Sequence, residues 1–293
     1  MLEVRLAYFG ALARAALEDV ARETLANDER HLRDTEEMVR TGTRAPIDLA
    51  RLRTEVATAR AALVRAANDT ATARTRLAVA MGVPSGSGFS LVAPGLAALA
   101  EEDRGPDALY AEAVRARPEL AALRASLEAQ RQVATAASRW LLPSLHAVAS
   151  ASTSGPVPLD PSYGASAGVI LRWDLFDGLA SPAQADAERA RLDVARARLD
   201  DLGHQVFEEV ANAAGAVATA RAELPAAEEA LAAARDLLGL AEARYREGVG
   251  NSLELADAQL ELATAAAGRV RVRYDLASAR AQLLRSLGRD RWE

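Results

Sequence analysis

One passage of this chain occurs twice, about 206 residues apart. The first copy begins Gly42-Thr-Arg-Ala-Pro-Ile-Asp-Leu-Ala and the second begins Gly248-Val-Gly-Asn-Ser-Leu-Glu-Leu-Ala. The register then holds without a gap as far as Gly82 and Gly288. Solenoid repeats recur every 20 to 50 residues or so, which is far shorter. The pattern therefore indicates a duplicated supersecondary unit, in which a helix, a glycine turn and a returning helix follow one another.

The composition favours long helices and excludes several kinds of site. Alanine and leucine dominate, 26% of the residues are charged and only 4% are aromatic, which is typical of coiled coils. The net charge of −6 and the scattered arginines argue against a nucleic-acid surface. The absence of cysteine excludes disulfides and thiolate sites. The three histidines are isolated and lack metal-ligand spacing, and the sequence shows no hydrolase triad.

Proline and glycine signals set the predicted helix boundaries. Pro46 suits the first turn of a helix, and Gly82 and Gly288 suit the ends of helices. A Gly/Ser/Pro connector is predicted from Val83 to Gly105, and Pro118 predicts a break in the helix that follows it. The predicted helices cover about 3–40, 46–82, 106–139, 182–247 with a bend at Pro225, and the segment from the second turn to Gly288.

Between these helices, apolar residues alternate with polar or small ones over residues 145–152 and again over 165–175. A period of two predicts strands, and the second is about ten residues long, enough to cross a bilayer as a tilted barrel strand. Trp140 and Trp173 would lie at the same end of the resulting hairpin, where an interfacial aromatic belt is expected. A soluble hairpin with one buried face explains this segment equally well.

The last helix carries two apolar stripes on nearly opposite sides. One runs from Leu253 to Leu284 in an unbroken alternation of three and four residues, and the other starts two positions later at Leu255. Two residues correspond to about 200° around a helix. Such a helix needs a neighbour on each side, as in a ring of helices around water, whereas one wide apolar stripe would indicate an ordinary solid bundle.

These elements together resemble the TolC-like outer-membrane efflux protein family over nearly the whole chain. The resemblance is carried by the duplicated helix-turn-helix together with Arg117-Pro-Glu-Leu120, Trp140-Leu-Leu-Pro-Ser-Leu145, Leu171-Arg-Trp-Asp-Leu-Phe-Asp-Gly178 and Arg244-Tyr-Arg-Glu-Gly248. It implies a mainly α fold: long antiparallel coiled-coil helices of a periplasmic α-barrel, plus one transmembrane β-hairpin that contributes to a β-barrel.

The function implied by the resemblance is that of a homotrimeric export duct without catalysis, metal or other cofactor. The duct would lie in the outer membrane, in contact with its lipid, and cross the periplasm of a Gram-negative bacterium. It would conduct substrates from an inner-membrane pump and a periplasmic adaptor to the exterior, with no nucleic-acid partner. A soluble coiled-coil scaffold without a pore is the alternative.

The resemblance also assigns roles to residues near the two turns. Tyr245 and Asp48 match a gate tyrosine and a gate aspartate, whereas the arginine that completes the family's latch is Gly250 here, so that Arg44 or Arg246 would have to replace it. Glu254 and Asp257 match acidic constriction rings, which would select or trap cations. The turns themselves would dock the adaptor, through Gly42, Thr43, Arg44, Gly248, Val249 and Gly250.

The resemblance starts partway into the family's first repeat. We expect residues 1–105 to be a partial first repeat and 106–293 to be a second repeat, with its hairpin at about 141–176 and its long helix-turn-helix at 182–288. The first hairpin and a signal peptide are not recognisable, which fits a misassigned start, a fragment or a degraded gene. Channel function is therefore expected of a longer parent protein.

Overall fold

The computed structural model describes residues 2–84, 89–92, 98–100, 102–154 and 162–289, so parts of the predicted connector and of the hairpin loop lie outside the described residues. The fold is mainly helical with one β-hairpin, as predicted. The described elements are α1 (Leu2–Arg40), α2 (Pro46–Met81), α3 (Pro106–Ala116), α4 (Pro118–Ser138), β1 (Ser144–Ser154), β2 (Ser162–Arg172), α5 (Ala180–Arg246) and α6 (Ser252–Ser286). No helix among these residues is long and apolar enough to cross a membrane.

The chain divides into two compact units, residues 1–116 with 206–293, and residues 117–205. The predicted first repeat lies wholly in the first unit, whereas the predicted second repeat is divided between the two units, with one boundary inside α5. The break at Pro118 is confirmed, since α3 ends at Ala116 and α4 begins with the proline in its first turn. The helix around Pro225, by contrast, continues without interruption.

The duplication is visible in the hydrogen bonds of the two turns. In the first turn, the amides of residues 42, 43 and 44 donate to the carbonyls of residues 39, 38 and 38. In the second turn, the amides of residues 248, 249 and 250 donate to the carbonyls of residues 245, 244 and 244. Gly42 and Gly248 both have a positive φ, 77° and 81°, a conformation that glycine adopts without steric cost.

The first unit contains the two-sided packing expected of α6. One α6 stripe, represented by Val270, Tyr274 and Ala277, packs against Phe9 and Leu12 of α1. The other stripe, represented by Leu255 and Ala258, packs against α5 side chains. The apolar residues of α6 therefore contact two different neighbours and not one flank alone, while Leu253 and Leu260 near the start of the first stripe are exposed.

One flank of α2 is open in the protomer. Its buried side faces α1 and includes Leu52, Val56 and Leu77. The stripe on the other side is exposed, with Ile47 at 73% and Val64 at 66% of their possible surface. Leu237 and Leu240 of α5 are exposed as well. The first unit thus presents unpartnered apolar residues on its outermost helices.

The second unit holds the hairpin, whose strands pair in antiparallel register from Ser144↔Arg172 to Ser154↔Ser162. One face is apolar along most of its length and carries the pairs Leu145↔Leu171, Ala147↔Val169, Ala149↔Ala167 and Ala151↔Ala165. The other face is polar or small over much of its length, with the hydroxyls of Ser150 and Ser166 2.8 Å apart. Both faces are exposed in the protomer.

The second strand is shorter than the alternation predicted. It ends at Arg172 and not at residue 175, because the residue before its last partner Ser144 is Pro143. Proline has no amide hydrogen to donate to the ladder. Trp173 instead donates its indole hydrogen to the carbonyl of Leu141, 3.1 Å away.

A buried ion pair fixes the end of the connector to α6. Glu102 accepts two hydrogen bonds from the Arg280 guanidinium, of 2.6 and 3.1 Å, and the side chains are 1% and 6% exposed. The pair Arg14–Asp69 provides a contrast, because its distance is 3.4 Å and about half of each side chain is in solvent.

We predict that Arg280→Met destabilises the helical unit by about 3 kcal/mol, because it leaves the Glu102 carboxylate buried without its main partner. The measurement is the midpoint of urea unfolding followed by circular dichroism at constant pH. The matched control Asp69→Asn removes only an exposed pair and should change the free energy of unfolding by less than about 1 kcal/mol. Equal effects of the two substitutions would contradict the structural role given to Glu102–Arg280.

Candidate functional site

The two turns lie side by side, and Arg44 joins them. Its Nη2 atom donates to the carbonyl oxygens of Tyr245, at 2.5 Å, and of Gly250, at 3.0 Å. Its guanidinium also stacks over the Tyr245 ring, 4.1 Å from the centroid. Arginine suits this position because its planar group can donate several hydrogen bonds and stack at the same time.

Gly250 cannot be replaced by a larger residue without a shift of the turn. A Cβ atom there would lie 3.0 Å from Cβ of Arg244 and 3.1 Å from backbone atoms of residues 244 and 245. Gly250 is also buried. Arg44, one of the two arginines that the sequence left open as a replacement at this position, contacts the second turn in the structure.

Tyr245 and Asp48 lie at the same end of the unit but have different partners. The Tyr245 hydroxyl is 3.1 Å from Oγ1 of Thr35, and both side chains are buried. Asp48 accepts a hydrogen bond of 2.6 Å from the Ser252 hydroxyl. The contacts between the two hairpins thus include Arg44 to backbone, Thr35 to Tyr245 and Asp48 to Ser252.

Sequence reasoning missed Thr35 and Ser252. Neither belongs to a motif, and their counterparts in the duplication are Ala241 and Pro46. The one available signal for Ser252 was its position directly after the helix cap: Asn251 caps α6 by accepting a hydrogen bond of 2.7 Å from the Glu254 amide.

The two acidic residues predicted near the tip lie on one side of α6. Glu254 forms an ion pair of 2.9 Å with Arg244, and both side chains are substantially exposed. Asp257 is exposed one turn later. A groove between α5 and α6 is lined by both carboxylates, by Leu237 and Leu253, and by Glu261, a third acidic residue that sequence reasoning did not select.

The remaining predicted residues are at the outer surface of the turns and at the hairpin base. Gly42, Thr43, Gly248 and Val249 are exposed. In the second unit, Trp173 is 56% exposed, whereas Trp140 is half-buried. The hydrogen bond from Trp173 to the residue after Trp140 brings both tryptophans to the end at which β1 begins and β2 ends.

The residues around the turns hold two helical hairpins together. Within the described ranges, no three histidine, cysteine, aspartate or glutamate side chains come together as a metal site. The geometry offers instead two helical hairpins connected by a few polar contacts, next to an acidic groove. Such contacts suit a reversible joint.

Comparisons with known proteins agree with the fold. The outer membrane efflux protein family matches residues 109–289. The outer-membrane channel OprN superposes with a TM-score of 0.83 and 24% identity, over 98% of this chain and 65% of OprN. The outer membrane protein VceC from Vibrio cholerae gives a TM-score of 0.82 and 18% identity, over 98% of this chain and 69% of VceC.

A membrane protein from Pseudomonas aeruginosa gives a TM-score of 0.80 and 25% identity, over 98% of this chain and 65% of that one. The chain thus spans about two thirds of the length of these structures. No curated protein matches its sequence. Since the family match covers more than half of the chain and the fold agrees throughout, this protein belongs to the outer membrane efflux protein family.

Proposed function

We propose that this chain forms most of one protomer of a trimeric outer-membrane channel, which carries substrates from a periplasmic adaptor and inner-membrane pump to the exterior of a Gram-negative bacterium. The observation that carries the proposal is the two-sided packing of α6 combined with the open flanks of α2 and α5. A helix with neighbours on both sides belongs to a curved wall, and a wall with open apolar flanks closes by adding copies of itself.

The hairpin supports the same proposal. Its mostly apolar face and its opposite face, which is polar or small over much of its length, fit a barrel strand pair between lipid and a wet lumen. An isolated two-stranded sheet is only marginally stable in water, whereas barrel closure pairs every strand edge. The alternative function, a soluble scaffold, does not explain why one face of the hairpin is both apolar and exposed.

The polar contacts between the two helical hairpins, made by Arg44 with the second turn and by Asp48 with Ser252, would form the gate. Arg44 and Asp48 connect the first helical hairpin to the second through hydrogen bonds that involve a charged group. In a trimer these contacts would recur three times around the tip, and breaking them would free the α5–α6 hairpin. Docking of the adaptor at the exposed turn residues 42–43 and 248–249, beside the half-buried Arg44, is part of the proposal.

The principal test is conductance. The purified protein, extended by its upstream coding sequence where the gene has one, is reconstituted into planar bilayers, and its oligomeric state is measured by mass in detergent. Discrete channel openings from a trimer support the proposal. A water-soluble monomer without conductance would overturn it and favour the scaffold.

Neighbouring residues on opposite faces of β2 offer a matched test of the membrane assignment. We predict that Ala167→Arg, on the apolar face, destabilises the folded protein in lipid by about 2–4 kcal/mol, as for arginine facing the bilayer midplane. Ser166→Arg, on the polar face at the same depth, should cost much less. The measurement is the urea midpoint of folding into lipid vesicles, and equal costs would argue against a lipid-facing strand.

The gate contacts predict a gain of conductance. The double variant Arg44→Ala/Asp48→Ala removes three hydrogen bonds to charged groups, each worth about 1.5–3 kcal/mol. Since about 1.4 kcal/mol changes an equilibrium tenfold, we expect the open fraction in planar bilayers to rise by at least that factor. Arg53→Ala, which removes the exposed pair with Glu36, is the control and should leave the openings unchanged. An unaltered open fraction in the double variant would mean that the joint does not close the channel.

The acidic side of α6 predicts cation selectivity. With three copies of Glu254 and Asp257 around the tip, the lumen would attract cations and hold polyvalent ones. Glu254→Gln/Asp257→Asn should lower the cation-to-anion permeability ratio, measured by reversal potential in a salt gradient, and weaken block by trivalent cations. Asp275→Asn, an exposed change about five turns along the same helix, should alter neither quantity. Identical reversal potentials for the parent and the double variant would remove these residues from the pore.

A further inference from the structure

A small cavity with both polar and apolar lining lies in the first unit between α1, α5 and α6, away from the turns. Its volume is about 50 Å³, and its lining includes Thr24, Asn27, Asp28, Arg235, Leu238 and Gln259. A water molecule needs roughly 10–15 Å³ of such space, so there is room for a few. The cavity therefore interrupts the seam along which these three helices meet.

Two polar side chains in this cavity are largely withdrawn from solvent, and the amide nitrogen of one of them lacks a hydrogen-bond partner among the described residues. Asp28 is 6% exposed and Gln259 is 9% exposed. Nε2 of Gln259 has no hydrogen-bond partner in the part of the chain that the structure describes. No hydrogen bond or ion pair from a described residue reaches the Asp28 carboxylate, and burial raises the pKa of Asp28 to about 6.

The chemistry of this pair selects water as the occupant. The amide of Gln259 offers a hydrogen to an acceptor, and an ionised Asp28 needs hydrogens from a donor. A water molecule can accept from the first and donate to the second, whereas a metal ion cannot accept from an amide hydrogen. Arg235 in the lining also opposes a bound cation.

The charged groups around Asp28 do not neutralise it. On α1 the nearby titratable residues are Glu23, which lines the cavity, and His31, whose partner is Glu242 at 3.2 Å. Burial lowers the pKa of His31, which favours its neutral form. On α2, burial and the charge of Asp28 raise the pKa of Glu55, an effect that Arg51 opposes. Arg235 is the charged group in the α5 lining, and α6 contributes the uncharged Gln259.

We propose that Asp28 and Gln259 form a proton-sensitive, hydrated contact between α1 and the α5–α6 hairpin, which tightens when Asp28 is protonated and loosens when it is ionised. The seam that contains this contact continues through Thr35 and Tyr245 to the turns. The consequence for gating rests on the proposed function, in which α5–α6 moves away from α1, but the proton sensitivity of the seam does not.

The sign of the pH dependence follows from the linkage between proton binding and closure of the seam. A carboxyl whose pKa is higher in the folded protein than in the open chain favours folding at acid pH, and the advantage is lost as the pH rises from about 3.8 towards 6. Protonation of His31 acts in the opposite sense, because its pKa is lowered in the folded state. Asp28 therefore tightens the seam as the pH falls below about 6, and protonation of His31 at acid pH offsets part of this gain.

The test is hydrogen–deuterium exchange of the complete purified protein between pH 4.5 and 8, corrected for the intrinsic pH dependence of amide exchange. Protection of segments 20–35 and 255–266 should fall by up to about tenfold between pH 5 and 7.5 and level off above about pH 6, because one pH unit below the pKa of about 6 for Asp28 changes the closure equilibrium about tenfold. Asp28→Asn should keep its acid-level protection at both pH values, and Asp28→Leu, which also fills space, provides a second neutral variant.

Three results would overturn the proposal. The first is an unchanged pH dependence in both Asp28 variants, and the second is lower protection at pH 7.5 in the neutral variants than in the parent. The third is loss of the transition in Glu55→Gln, which should only lower its midpoint slightly, because the like charge beside Asp28 disappears. Asp69→Asn serves as a control on an exposed carboxylate. Since exchange does not depend on a pore, failed conductance and failed proton sensitivity are distinguishable outcomes.

Discussion

The structure of the helical unit depends on shallow packing between alanine-rich faces on two sides of one helix. Ala277 and Ala281 of α6 are completely buried towards α1, and Ala258 is nearly so towards α5. Alanine lets helices approach closely but removes little apolar surface from water, so each contact contributes little free energy. Stability must come from the number of such contacts along very long helices. Their register then has to be fixed elsewhere, by the hydrogen-bonded turns at one end and by the buried pair Glu102–Arg280 near the other.

The two copies of the duplicated unit differ at one position that matters for their contact, where Arg44 corresponds to Gly250. Positions 44 and 250 correspond in the two copies, and their backbones make the same turn hydrogen bonds. In the fold these two positions meet: Nη2 of Arg44 donates to the Gly250 carbonyl. The long side chain of one copy occupies space that the absent side chain of the other leaves free, and a Cβ at position 250 would already be crowded. A symmetric pair of arginines would repel each other there, whereas the unequal pair joins the hairpins.

The sequence predicted what depends on local chemistry and periodicity. Glycine and proline located both turns and the break before Pro118, period two located the hairpin, and two heptad stripes implied two neighbours for α6. The end of β2 was predicted too late, because the alternation continues to Leu175 while the partner strand stops at Pro143. The sequence did not predict which residues form contacts between the helical hairpins, because Thr35, Ser252 and Asp28 look like ordinary polar residues of exposed helix faces. Which face is covered depends on tertiary packing, and only the structure shows that Asp28 is buried while Asp69 is not.

The side of α1 that packs against α5 and α6 is apolar near the start of the helix and polar near the turn, and this difference affects how easily the helices separate. Towards its start the buried residues are apolar, with Phe9 and Leu12 packed against α6. Towards the turn the buried residues are the polar Asp28 and Thr35, and the partly buried His31 pairs with Glu242. Separating an apolar seam exposes surface at about 25 cal/mol per Å², with nothing gained in return. Separating a polar seam exchanges protein partners for water, so that the net loss per hydrogen bond is about 1 kcal/mol. In the proposed gate, such a helix pair would stay closed at its apolar end and part at its polar end, so that opening would need no hinge in the backbone.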